Sequence, residues 1–125
     1  GEANQSVAKS NMLKNIKMQE KVSYQLVRMY DQFVKNKNMV PNQEETIFNT
    51  FKRSIGSTMR TYLLMPTRTA KSKIKKFDDN IKNISFVSYR RLNDDKFIRL
   101  IRKGNYSMVP LAKIMYRIWV MKYGY

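Results

Sequence analysis

The chain has 125 residues, with 25 Lys and Arg against 9 Asp and Glu, and a formal net charge of +16. It contains no cysteine and no histidine, so disulfides and thiolate metal sites are excluded, and general-base chemistry lacks its commonest residue. At 42% hydrophobic the length suits one compact domain with a real core, and the basic excess calls for an anionic partner.

Residues 1–10, GEANQSVAKS, are polar. A loose N-terminal segment is expected there, without the charged-then-apolar order of a signal peptide, followed by one helical domain over 11–125. Periodicity is helical throughout that domain. Met12, Ile16, Val27, Tyr30 and Val34 return to one side of a first helix. Met18, Val22, Leu26, Met29 and Phe33 form a second stripe beside it, and so wide an arc predicts a central helix covered by several neighbours. Asn36-Lys37-Asn38 and Met39-Val40-Pro41 read as a helix stop. Asn42 followed by Glu45 predicts a capping box for the next helix.

Ile47, Phe48, Phe51, Ile55, Met59, Tyr62 and Leu63 then mark a core face. Pro66 predicts a kink or tight break near Met65, since the pattern resumes through Ala70, Ile74, Phe77 and Ile81. The expectation is two long antiparallel helices, about 11–36 and 42–76, with shorter ones after them. Arg53, Arg60, Arg68, Lys71, Lys75 and Lys82 fall in one register if the helix passes through the proline, giving a basic track. Asp78-Asp79-Asn80 and Asn93-Asp94-Asp95 are both candidate helix starts, because acids favour that end. Phe97, Ile98 and Ile101 give a short apolar face that Gly104-Asn105 closes. Pro110 opens a last helix near 110–122. About five helices with short connections make an all-α, single-domain bundle.

No constellation for catalysis emerges. Phosphate-loop and nucleophile-elbow motifs are absent, and the adjacent acid pairs read as helix starts. A non-enzyme without cofactor or metal is expected. Three N-x-[ST] sequons, at Asn4, Asn83 and Asn105, are a weak signal where chance in so Asn-rich a chain supplies about one or two.

The ending MYRIWVMKYGY carries more information. Leu111, Ile114, Met115, Ile118 and Met121 share one face, which is assigned to the core. Tyr116, Trp119, Val120 and Tyr123 share nearly the opposite face, beside Lys113 and Arg117. Aromatic rings next to cations suit a membrane interface. The alternative is a second bundle layer that buries them. Stacking on nucleic acid is disfavoured, because Lys outnumbers Arg and no recognition module appears.

RRLNDDKFIRLIRKGNYSMVP, residues 90–110, and the closing VMKYGY resemble the C-terminal part of the abalone sperm lysin family. LVRMYDQFVKNKNMVPNQEETIFNTFKRS, residues 26–54, fits that family's first long helix, turn and second long helix. The resemblance spans about residues 11–125 and rests on many loosely matched positions. It implies a secreted, strongly basic five-helix protein of the sperm acrosomal vesicle that acts at fertilisation without catalysis. One branch dissolves the egg envelope by binding its glycoprotein. The other, the eighteen-kilodalton acrosomal proteins, promotes membrane fusion. The non-aromatic N-terminus and the surplus of Met, Tyr and Phe stripes favour the fusagenic branch. The expected partner is then the egg plasma membrane or another anionic lipid surface, with an egg-coat glycoprotein as the alternative and a homodimer left open.

Overall fold

The computed structural model describes residues 2–36 and 40–125, with side chains from residue 6 onward. Among these, all regular structure is helical: α1 (Glu2–Lys14), α2 (Ile16–Lys35), α3 (Pro41–Tyr62), α4 (Thr67–Ile84), α5 (Phe86–Leu92), α6 (Lys96–Tyr106) and α7 (Val109–Tyr123). The all-α class is as expected, but seven helices replace five. Of the expected loose segment 1–10, residues 2–10 are helical instead. Its Ala, Gln and Lys favour helix, and α1 packs on α2 and α3. Asn15, at φ −92° and ψ 5°, separates α1 from α2. Part of the helix stop, residues 37–39, lies outside the described residues.

α2 and α3 are antiparallel, as expected. Gln19 and Glu20 meet Thr61 and Tyr62, Ser23 meets Ser54 and Thr58, and Tyr30 meets Glu44. Ser23 and Thr58 are buried, so small hydroxyls that satisfy one another let the two helices approach closely. The capping box does not form. Pro41 occupies the first helical position after Val40, where its missing N–H costs nothing, and this leaves Asn42 inside the first turn.

The second long helix does not run to 76. It ends at Tyr62, and residues 63–66 tighten into i→i+3 turns before Pro66. Tyr24 packs on Phe77 and accepts a hydrogen bond from Asn80, while Asp31 accepts one from Ser85. These pairs advance together along α2 and α4, so α4 runs parallel to α2 and the chain reverses direction at the proline. The predicted core face survives the break. Phe48, Phe51, Ile55, Met59, Tyr62, Leu63, Ala70, Ile74, Phe77 and Ile81 are all buried in one cluster with Ile98, Ile101 and Val109.

The acid pair at Asp78-Asp79 does not start a helix. It lies within α4, and Asp78 is fully buried. Arg102 of α6 grips both its carboxylate oxygens at 2.8 Å, and the Tyr106 hydroxyl donates to it at 2.7 Å. The same guanidinium donates to the Tyr89 carbonyl and lies 3.8 Å from the centre of the Tyr89 ring. One knot therefore ties α4, α5 and α6 together, with every partner supplied. Asp95 does cap α6, accepting from the Ile98 N–H, and Ser85 caps α5 in the same way through Ser88. Gly104, Asn105 and Tyr106 all take positive φ, closing α6 where Gly-Asn was expected to close it. At Gly104 the φ of +60° is one that glycine adopts without the Cβ penalty other residues meet there.

Candidate functional site

α7 reverses the expected orientation of its two apolar faces. Val109, Ala112, Tyr116 and Val120 are its buried residues. Tyr116 and Val120, assigned from sequence to a membrane, therefore belong to the core. Leu111, Ile114, Met115, Ile118 and Met121, assigned to the core, are exposed by 43% to 74%. Trp119 and Tyr123 are exposed as expected. The reason is packing. Small Ala112 lets α7 lie close to the bundle, and one Tyr fills the remaining space, whereas a row of Ile, Met and Leu would hold the helix off. The larger face is left outside, interrupted only by Lys122, whose ammonium sits 5.3 Å from the Tyr123 ring centre.

Lys113 and Arg117 flank the docked face. Lys113 Nζ donates to the Met65 carbonyl, which pins α7 to the α3–α4 turn. Burial, followed by the nearby charges of Arg117 and Lys9, holds its pKa below the ordinary lysine value. Arg117 is exposed.

The basic track splits at the α3–α4 break, because the single register it assumed does not exist. Arg68, Lys71, Lys75 and Lys82 remain together, exposed along one flank of α4. Lys75 reaches Asp79 at 3.6 Å, and Lys82 sits over the Tyr89 ring at 5.5 Å. Arg53 is exposed on α3. Arg60 is half-buried with its guanidinium 4.9 Å from the Phe97 ring centre, and it belongs to a different site. α4 and α7 pack directly on each other, so the cationic flank and the apolar face share one side-by-side pair of helices.

A further apolar stripe lies elsewhere. Met18, Val22 and Met29 of α2 are exposed, as are Phe86 and Val87 at the start of α5. The α2 stripe was visible in the sequence but was assigned to burial. Among the described residues no group of acids could hold a metal ion, and no helix is long and apolar enough to cross a membrane.

Few acids remain to offset the charge. Glu20 is taken by Tyr62 and Lys17, and Asp31 by Lys35 and Ser85. Glu44 accepts from Arg91 and from the Tyr30 hydroxyl at 2.6 Å. The Arg91 hydrogen bond holds Glu44 below the usual carboxylate range. Burial, then the Glu44 contact, pushes the Tyr30 phenol from 10.0 up to about 12. Tyr62 and Tyr106 are raised as well, first by burial and then by the carboxylates they face. A raised folded-state pKa gives stability that is complete below the unfolded value and lost as pH climbs through the folded one. Urea midpoints should therefore fall between about pH 10 and about pH 12, and Tyr30→Phe should shrink the fall. A midpoint that is flat across this window would mean these phenols titrate as in the unfolded chain.

No family model matches this chain, and no curated protein or solved structure matches it significantly.

Proposed function

We propose that this protein acts without catalysis at an anionic membrane, docking through its cationic surface and inserting the outer face of α7 to perturb the bilayer. The exposed Leu111, Ile114, Met115, Ile118, Trp119 and Met121 on a protein of charge +16 carry this reading. An apolar face of that kind, broken only by Lys122, marks an interaction surface rather than ordinary solvent-facing scatter. Each Lys or Arg near an acidic leaflet contributes about 1 kcal/mol, so the four on the α4 flank would supply about 4 kcal/mol of docking. Inserted apolar area adds roughly 25 cal/mol per Å².

Together with the resemblance of residues 26–54 and 90–125 to the sperm lysin family, this favours a secreted acrosomal protein of the fusagenic branch, acting on the egg plasma membrane at fertilisation. Stoichiometric binding to an acidic egg-coat glycoprotein stands second. The basic surface suits it equally, but it leaves the large α7 face without a task.

The test uses vesicles containing phosphatidylserine at low salt, where screening is weakest. Trp119 emission should shift to the blue on binding and the vesicles should leak. Ile118→Asp should weaken binding by roughly tenfold or more, since it places a charge within the inserted face. Lys71→Glu with Lys75→Glu should weaken it at low salt and matter less at high salt. An unmoved Trp119 spectrum, with Ile118→Asp binding as well as the parent, would transfer the function to coat binding.

A further inference from the structure

Between α6 and α7 lies a half-open cleft of about 360 Å³ lined by Arg60, Phe97, Leu100, Ala112, Met115, Tyr116 and Trp119. Its volume falls within the range of small-molecule sites. The walls are apolar and aromatic, and a single cation reaches into them from α3. That cation differs from the two other partly buried guanidiniums because, among the described residues, it has no carboxylate. Arg91 and Arg102 each hold a bidentate acid while stacking on a ring. Among the described residues Arg60 has the ring, Phe97, and no acid. Asp78, Glu44, Glu20, Asp31, Asp79, Asp94 and Asp95 are all engaged elsewhere.

We infer that this cleft binds one free fatty acid, its carboxylate bidentate on Arg60 and its alkyl chain along Leu100, Met115 and Trp119. The guanidinium fork fits a planar carboxylate. Because no second cation among the described residues lines the cleft, a singly charged head is matched where a phosphate monoester would stay under-neutralised. An anion would also complete around Arg60 the ring-plus-acid arrangement already present at Arg91 and Arg102. This site shares Met115 and Trp119 with the inserting face but turns on Arg60, and its test contains no vesicles, so either reading can fail while the other stands.

Trp119 is the sole tryptophan and lines the cleft, so contact quenching reports occupancy. Dodecanoate and dodecanol, each brominated at the terminal carbon and kept below micellar concentration, are the probes. The acid should quench Trp119 saturably at one equivalent, with half-saturation at least tenfold below that of the alcohol. Arg60→Met should erase that preference, while Lys71→Met, which removes one charge that does not line the cleft, should leave it intact. Arg60→Lys, which keeps charge and stem, should bind the acid several-fold more weakly than the parent. Equal quenching by acid and alcohol would overturn the assignment. So would equal effects of Arg60→Met and Lys71→Met, or undiminished binding by Arg60→Lys.

Discussion

Asp78→Ala should lower the stability of this protein by about 3–5 kcal/mol, measured as the loss in urea-unfolding free energy. The substitution removes a carboxylate that is fully enclosed, yet the larger cost comes from what it leaves behind. Arg102 has only 8% of its side chain exposed, and without Asp78 its charge is stranded beside the Tyr89 carbonyl and the Tyr106 hydroxyl. Removing both charges, as Asp78→Leu with Arg102→Met, should recover much of the loss, because an apolar pair needs no compensation. If Asp78→Ala unfolds at the parental midpoint, the knot joining α4, α5 and α6 contributes nothing. A double variant no better than the single one would instead show that the hydrogen bonds, and not the stranded charge, carry the energy.

Two substitutions two residues apart on α7 should behave in opposite ways. Tyr116→Ala should cost about 3–5 kcal/mol, the range for deleting a large aromatic side chain from a core. Ile118→Ala should change stability by less than about 0.5 kcal/mol, as at an ordinary surface position. Hydrophobicity alone predicts the reverse order, since isoleucine is the more apolar of the two. Exposures of 8% and 60% decide between them. A large loss in Ile118→Ala would mean that α7 seats on its outer face.

What sequence revealed and what it hid follow from one distinction. In α3 and α4 the apolar residues lie opposite charged ones, so periodicity names a single inner face, and Phe51, Ile55, Met59, Ile74 and Ile81 are buried as read. In α7 apolar residues cover nearly the whole circumference. Periodicity then offers two answers, and only packing against Ala112 chooses. The Asp78 knot was hidden for another reason. Its partner lies 24 residues away, and adjacent acids look the same in sequence whether they cap a helix or neutralise a buried arginine. The basic track failed at Pro66, where a four-residue turn discards the phase on which Arg53 and Arg60 were aligned with α4. Arg60 looked like one more surface charge, and no local signal distinguished it.

The Lys113 contact with the Met65 carbonyl bears on how this chain finds a unique native state. A helix with two apolar sides can seat on the bundle in two rotational settings, and apolar character alone does not separate them. Such near-degenerate minima are what produce a mixture of folded forms instead of one. A cation that must reach one particular carbonyl is satisfied in only one setting, and in the other it would lie against the bundle without a partner. The lysine acts as a locating pin: to the packing at Ala112 it adds a directional contact that the observed setting of α7 satisfies.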